Sequence, residues 1–226
     1  MSLRVFSASL DVSDSRLRRM GESLSADERG RAERFVFEVH RRRFTAARGL
    51  LREVLGRELL IEPAAIRFEY GPHGKPALAS DIGSELRFNV SHTQARALVA
   101  ITRGFELGVD IEAVREGIDN VAIAKRFFSQ AEQTALLALS EPRRAEAFFT
   151  IWTRKEAYVK LKGGGLVIPL DSFDVSLDEP ARLLRSAGGD PAARPVELES
   201  LPAPSGFRAA LAVAGRPAAV EFETLE

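Results

Sequence analysis

Two stretches decide the fold: LGVDIE at residues 107–112 and AEAFFTIWTRKEAYVKLKG at residues 145–163. In the first, apolar residues alternate with two carboxylates, which predicts a strand with one buried face. The second has a helical composition and ends at a glycine, which predicts a long helix. The shorter segments around them read as further strands and helices. We therefore expect an α+β protein in which this strand and this helix each present acidic side chains.

The carboxylates of Asp110 and Glu112 are expected on one face of the strand, because residues two apart in a strand point the same way. Like charges this close raise each other's pKa unless a cation lies between them. Glu156, on the helix, would add a third oxygen ligand, and a set of this kind suits magnesium. The alternative for the first two residues is a strand end whose polar side faces water.

The predicted helix also places Glu156 and Lys160 four residues apart on one face. An ordinary surface ion pair would explain that spacing. It would not explain the surroundings, because the only tryptophan of the chain, Trp152, lies on the same face and two phenylalanines precede it. The helix is therefore expected to be substantially buried, and a buried Glu and Lys need specific partners.

Two other segments carry residues suited to phosphate. LRFNVSHT at 86–93 places Ser91 and His92 where a strand meets a turn, although a turn histidine bonded to a backbone carbonyl is the alternative. A Ser-His-Asp hydrolase is disfavoured, since adjacent Ser and His cannot form the nucleophile–base pair. GPHGKP at 71–76 differs from a P-loop in its glycine spacing, but a glycine-rich loop with one lysine can still wrap a nucleotide.

The chain shows signs of an internal duplication. Capping-box sequences begin at Ser25 and at Ser129, 104 residues apart, and Arg48 and Arg154 occupy similar places in the helices that follow. This spacing predicts an N-terminal half at 1–105 and a C-terminal half at 106–226 that carries the metal site. The crevice between two such halves is the natural ligand site. Residues 178–206, rich in Pro, Ala and Ser, are predicted as irregular surface chain.

Composition narrows the function classes. The formal net charge is zero, with 32 Lys and Arg against 32 Asp and Glu, which argues against nucleic-acid binding. The absence of cysteine excludes disulfides and thiolate zinc sites. No apolar run approaches the length of a membrane span, and the first residues do not resemble a signal peptide. We therefore predict a cytoplasmic protein that has no membrane partner.

The ordered set of motifs resembles the 4'-phosphopantetheinyl transferases, and in particular the larger, surfactin-synthetase-activating type. The matching blocks are GKPAL (74–78), FNVSH (88–92), GVDIE (108–112) and WTRKEAYVK (152–160), supported by ERFVF (33–37) and FFSQAE (127–132). The resemblance spans residues 25–175. It implies two α/β halves related by a pseudo-twofold axis, with coenzyme A in the cleft between them. Because one chain already contains both halves, it also predicts a monomer.

The resemblance implies a role for each acidic and basic residue of the strand and the helix. Asp110, Glu112 and Glu156 would hold magnesium, with manganese also possible, beside the pyrophosphate of coenzyme A. Lys160 would face the phosphates, with Lys155 nearby as a further coenzyme A contact. Glu156 would act as the general base toward the serine hydroxyl of an apo acyl or peptidyl carrier protein, directly or through a metal-bound water, and 3',5'-ADP would leave.

The remaining contacts to coenzyme A are implied for the N-terminal half. Ser91 and His92 would bind phosphate, Gly74 and Lys75 would lie along the adenosine, and Arg31 would meet the 3'-phosphate. Two positions depart from the family pattern. Glu28 stands where a second basic residue is common, and Phe44 stands where a hydroxyl can occur, so the arginine run at 41–43 is a compensating source of positive charge.

Two other functions remain open on the sequence alone. A catalytically silent module that binds coenzyme A or a nucleotide would not need the three carboxylates. A different metal-dependent phosphotransferase or phosphodiesterase would be expected to show a richer His and Asp cluster, and this chain has only three histidines.

Overall fold

A computed structural model describes residues 2–163, 168–186 and 194–225. The first part of the chain forms five strands and three helices, namely β1 (Ser2–Ser9), α1 (Asp14–Glu22), α2 (Ala26–Glu33), α3 (Glu38–Leu59), β2 (Phe68–Tyr70), β3 (Pro76–Leu78), β4 (Leu86–Thr93) and β5 (Arg96–Arg103). The second part forms β6 (Leu107–Ala113), α4 (Asn120–Phe127), α5 (Gln130–Leu137), α6 (Glu141–Lys162), β7 (Asp174–Val175), β8 (Leu183–Arg185), β9 (Val196–Ser200), β10 (Phe207–Ala214) and β11 (Ala219–Leu225). Both predicted elements that opened the sequence analysis are present, as β6 and α6.

The order of elements repeats. Each part runs through one strand, three helices, two short paired strands and two longer strands, and the sheet orders β1-β5-β4 and β6-β10-β9 correspond. The α+β architecture of two similar units is thus the one predicted. β11 has no counterpart in the repeat, because it returns to the first sheet and pairs in parallel with β1. The division at residues 105 and 106 stays a prediction, and the last strand of the chain lies in the sheet of the first half.

Two buried ion pairs repeat in the same way. The capping-box residues Glu28 and Glu132 are both buried, and they bond Arg52 of α3 at 2.7 Å and Lys155 of α6 at 2.8 Å respectively. Each cation also donates to two backbone carbonyls three residues apart, those of Pro63 and Ile66 in the first half and of Leu170 and Phe173 in the second. The matched residue of Arg52 is therefore Lys155, and the predicted match of Arg48 with Arg154 is wrong.

The two larger sheets share one apolar core. Leu3, Val5 and Leu98 of the first sheet pack with Val109 and Ile111 of the second, and all five are almost fully buried. Burial of this much apolar surface stabilises the two halves against each other. The remaining apolar residues form a separate core under α3 and another under α6.

Side chains of β4 bond the backbone of β6 where the halves meet. Asn89 Oδ1 accepts from the Val109 N–H at 2.9 Å, and Ser91 Oγ accepts from the Ile111 N–H at 3.4 Å. These bonds satisfy backbone donors at the edge of the second sheet, which would otherwise be buried without a partner. They also fix the strand that carries Asp110 and Glu112 against the first half.

The segment predicted as irregular, residues 178–206, contains two strands among its described residues, β8 and β9. That prediction was wrong because it followed the proline and alanine content of the segment. The alternation of Val196 and Leu198 with Glu197 and Glu199 indicates a strand. In the described part of the chain, none of the helices combines the length and the apolar content that crossing a membrane requires.

Candidate active site

Asp110 lies at the centre of the contact between the two halves. Its Oδ1 accepts from Ser91 Oγ at 2.8 Å and from Lys160 Nζ at 2.6 Å. Its Oδ2 is buried and has no hydrogen-bond partner. A buried carboxylate oxygen without a partner is costly, and a bound cation is one way to satisfy it. One side chain therefore joins β4, β6 and α6, and one of its oxygens is left for a ligand.

Glu112 lies on the same face of β6, as its two-residue spacing from Asp110 predicts. Its Oε2 accepts from Thr93 Oγ1 at 3.1 Å and from Arg115 at 3.2 Å. Burial and the charge of Asp110 raise the pKa of the Glu112 carboxyl, although Thr93 and Arg115 act in the opposite direction. A carboxylate whose pKa is raised by a neighbouring carboxylate is in the electrostatic setting in which a cation binds.

Glu156 faces these two acids from α6. Burial raises the pKa of its carboxyl, and the nearby charges of Asp110 and Glu112 raise it further, against the effect of Lys160. The three predicted carboxylates are thus close enough to repel one another. Among the described residues, however, no group of three or more His, Asp or Glu side chains already encloses a metal position.

These residues fit a magnesium ion by their donor chemistry. They supply carboxylate oxygens, one of which is buried and unpartnered, and Mg²⁺ prefers oxygen ligands and keeps waters or phosphate oxygens in its remaining positions. In the structure, the ammonium of Lys160 supplies the positive charge beside Asp110.

Gly108 allows β6 to approach α6 closely enough for this arrangement. A Cβ atom at Gly108 would lie 2.1 Å from the carbonyl oxygen of Ala157 and 2.3 Å from the amide nitrogen of Leu161. Only glycine fits where two backbones meet at that distance. The two carboxylates of the strand face Glu156 and Lys160 because this residue has no side chain.

A groove runs beside Lys160 between the two halves. One cavity of about 200 Å³ is lined by the glycine-rich loop, by Asn89 and Val90 of β4, and by Lys160. Gly74 and Lys75 both line it, and the φ of Gly74 is 77°, a backbone conformation that favours glycine. Lys75 crosses from the loop to the second half, where its Nζ donates to the carbonyl of Lys160 at 2.8 Å. Burial lowers the pKa of the Lys75 ammonium.

Lys75 and Lys160 line the groove, and two further basic residues lie near one another outside it. Part of the His92 side chain meets solvent, but its ring nitrogens lie in a crowded environment, so desolvation lowers the pKa of His92 first and the charges of Lys160, Arg31 and Arg48 lower it further. Arg31 is also exposed, and its guanidinium stacks on the ring of Phe44 at 5.4 Å. His92 and Arg31 therefore lie within electrostatic range of each other, and His92 lies within range of Lys160.

Two family models match the chain in succession. The model of the 4'-phosphopantetheinyl transferase N-terminal region matches residues 11–103, and the model of the 4'-phosphopantetheinyl transferase superfamily matches residues 106–214. The 4'-phosphopantetheinyl transferase HetI of Nostoc is 42% identical over 177 residues, which cover 77% of this chain and 74% of HetI. The chain belongs to the 4'-phosphopantetheinyl transferase family.

A second relative and one solved structure are also similar to parts of this chain. The 4'-phosphopantetheinyl transferase Sfp of Bacillus subtilis is 32% identical over 71% of this chain and 69% of Sfp. A solved holo-(acyl-carrier-protein) synthase of Bacillus anthracis, crystallised with CoA (3',5'-ADP), superimposes with a TM-score of 0.40 and 22% identity, over 48% of this chain and 93% of that one. Membership in a family of transferases makes this chain an enzyme of that class.

Lys155 does not lie where the resemblance implies. Its side chain is fully buried, and its Nζ is held by Glu132 and by two backbone carbonyls on the far side of α6. Adjacent residues of a helix point about 100° apart, so Lys155 cannot share the face of Glu156. The expectation that Lys155 contacts coenzyme A was wrong, and its role in the structure is to fix α6.

Ser91 also differs from its predicted role. It is buried, and its hydroxyl donates to Asp110 while accepting from Lys160 and from the Ile111 N–H. A hydroxyl has one donor and two acceptor sites, so Ser91 has no capacity left for a phosphate. We correct its assignment from phosphate ligand to the residue that positions Asp110 and Lys160.

The structure explains why Glu28 departs from the family pattern, and it also bears on the arginine run at 41–43. Glu28 is buried between Arg48 and Arg52 and therefore serves the packing of α2 on α3. In the arginine run, Arg42 and Arg43 already pair with Asp14 and Asp11, so they are poor candidates for a compensating phosphate contact.

Sequence reasoning missed Thr93 and Gly108. Thr93 follows Ser91 by two residues, and this period of two along β4 predicts that both side chains face β6. Gly108 precedes Asp110 by two residues in a strand whose other residues are bulky, and an isolated glycine in a strand is a signal of close backbone approach.

Proposed function

We propose that this chain transfers the 4'-phosphopantetheine group of coenzyme A to a serine of an apo acyl or peptidyl carrier protein and releases 3',5'-ADP. The single observation that carries the proposal is the meeting of Asp110, Glu112 and Glu156 with Lys160, which together with Lys75 also lines a groove. A groove of that kind accommodates a phosphorylated nucleotide, and membership in the family defines the reaction.

The acids are proposed as the site of a divalent cation, magnesium or manganese. Asp110, Glu112 and Glu156 would hold it, since Asp110 offers a buried oxygen with no partner and the other two carboxyls have raised pKa values. When bound, the ion offsets the negative charge of the diphosphate.

Side chains of the protein position the substrate and move the proton. Lys160 extends from α6 into the groove, where its ammonium can meet the phosphates, and Gly74 and Lys75 border the same space. His92 and Arg31 would bind phosphate groups at the rim, with Arg31 on the 3'-phosphate. Orientation of this kind and a fixed positive field lower the barrier without covalent chemistry by the protein.

Glu156 is the proposed general base. It faces Asp110 from α6, beside Lys160, where a carboxylate can accept the serine proton. The serine oxygen of the carrier forms a bond to the β-phosphorus, the bond to the 3',5'-ADP oxygen breaks, and the serine proton passes to Glu156, directly or through a water. Removing Asp110 would disrupt both the cation site and the position of Lys160.

The test is the mass of the carrier. The protein is incubated with magnesium, coenzyme A and an apo acyl carrier protein, and the carrier should gain the mass of one phosphopantetheine. Asp110→Asn should abolish the gain, whereas Asp81→Asn, at an exposed aspartate in an ion pair with Arg67, should keep it. An unchanged carrier mass with coenzyme A still bound by the wild-type protein would support a silent binding module and refute the transfer.

Two further expectations belong to the proposal. The repeated halves build the groove within one chain, which supports a monomer as the working unit. The proposed substrates, coenzyme A and a carrier protein, are consistent with residence in the cytoplasm.

A further inference from the structure

The turn between α2 and α3 exposes apolar side chains in a pattern that packing does not explain. Val36 is 91% exposed, Phe37 66% and Val39 44%. The preceding residue, Phe35, points inward and lies 5.4 Å from the ring of Phe44. The turn is thus anchored by one aromatic residue and presents the next apolar residues to solvent. Contiguous apolar groups at a surface mark interaction sites more often than isolated ones do.

Around these side chains three arginines, Arg31, Arg34 and Arg41, are exposed, together with two acids, Glu33 and Glu38. Arg34 precedes the apolar residues and Arg41 follows them, and in the described part of the chain neither has a carboxylate within 4 Å. The exposed acids Glu33 and Glu38 flank the turn but do not pair with either arginine. We define the α2–α3 patch as Val36, Phe37 and Val39 together with Arg34 and Arg41.

The patch adjoins the candidate active site. A cavity of about 450 Å³ is lined by Arg31, Arg34 and Phe35, so the arginine at the edge of the patch shares a recess with the one proposed to meet the 3'-phosphate. The charge of Arg31 also acts on His92, which lies near Lys160. A protein resting on the patch would therefore border the groove that holds coenzyme A.

We propose that the α2–α3 patch is the docking surface for the carrier protein, which would meet it with apolar side chains at the centre and acidic ones at the edge. The inference rests on the proposed function, because it names where the second substrate binds. Apolar contact would supply affinity at the centre, and the arginines would steer an acidic partner.

Steady-state kinetics with an apo acyl carrier protein test the proposal. The double variant Val36→Ser/Phe37→Ser should raise the KM for the carrier about tenfold, as expected when a central contact is lost. Arg41→Glu should raise it as well, and more at low salt than at high salt. The KM for coenzyme A should stay within about twofold in both, since neither variant alters the groove. Leu184→Ser removes another exposed apolar side chain, 59% exposed, and should change neither constant.

The outcomes separate this inference from the function itself. If the wild-type protein transfers phosphopantetheine and both patch variants keep the wild-type KM for the carrier, the docking surface lies elsewhere and the function stands. Absence of transfer by the wild-type protein would refute the proposed function, and direct binding of the apo carrier, measured by interferometry, would still test the patch. Binding of phosphatidylserine vesicles that the patch variants lose, or a dimer that they dissolve, would overturn the carrier as the occupant.

Discussion

Replacing Gly108 with alanine should damage the active site without altering any acidic or basic side chain. The added Cβ would lie 2.1 Å from the carbonyl oxygen of Ala157 and 2.3 Å from the amide nitrogen of Leu161, both of them backbone atoms of α6. Since non-bonded heavy atoms are most stable about 3.5–4.0 Å apart, the helix must move away from β6 by more than about 1 Å.

The same movement separates the groups that the site depends on. Asp110 of β6 and Lys160 of α6 are joined at 2.6 Å, and a shift of that size breaks the contact. A misplacement of about 1 Å can cost on the order of 100-fold in rate. Overpacking itself costs about 1–3 kcal/mol of unfolding free energy. In a chain of this size that loss lowers Tm by roughly 2–12 °C.

The assay measures kcat/KM for transfer well below the Tm of the variant, so that unfolding does not contribute. Gly21→Ala is the matched control, because its Cβ would meet only Thr45 Cγ2, at an ordinary 3.6 Å. We expect Gly108→Ala to lose activity by about two orders of magnitude and Gly21→Ala to retain it. A Gly108→Ala protein with the Tm and kcat/KM of the wild type would refute the reasoning.

Three further predictions concern other contacts. Lys155→Met should lower the unfolding free energy by about 3–5 kcal/mol, because Glu132 is left buried without its cation, yet leave the KM for coenzyme A unchanged; a raised KM would restore Lys155 as a ligand. Thr93→Val should raise the magnesium concentration needed for half-maximal transfer, since Glu112 loses a hydrogen bond, whereas Thr93→Ser should not; equal magnesium curves would refute the positioning role. Burial raises the pKa of Glu28, but its arginine partners outweigh this and lower it, so its stabilising contribution is present above the unfolded pKa and is lost as pH falls through the lower folded value. Glu28→Gln should therefore show a smaller acid-induced loss of stability than the wild type, and identical pH profiles in chemical denaturation would contradict this.

Local patterns predicted much of the fold. The two capping boxes and the apolar periodicity of α3 and α6 depend only on neighbouring residues, so they could be identified from the sequence. β11 could not, because its partner β1 lies at the other end of the chain, and only long-range pairing makes residues 219–225 part of the first sheet. The helix α1 was also missed.

For the candidate site, too, the predictions that depended on local geometry differ from those that depended on long-range contacts. The shared face of Asp110 and Glu112 follows from strand geometry alone, and the shared face of Glu156 and Lys160 follows from helix geometry. The orientation of Lys155 required knowing which face of α6 meets Glu132, a residue 23 positions away in sequence. The repeated ion pair offers a signal in retrospect, since Glu28 with Arg52 and Glu132 with Lys155 recur at nearly the same interval.

Counting bound manganese tests the cation site most directly, since no transfer is needed for the result. Electron paramagnetic resonance of free Mn²⁺, in the presence of coenzyme A, should show one bound ion per wild-type chain. Asp110→Asn and Glu156→Gln should each lose that ion while remaining folded by circular dichroism. Wild-type manganese binding in both variants would contradict the claim that these carboxylates hold the metal.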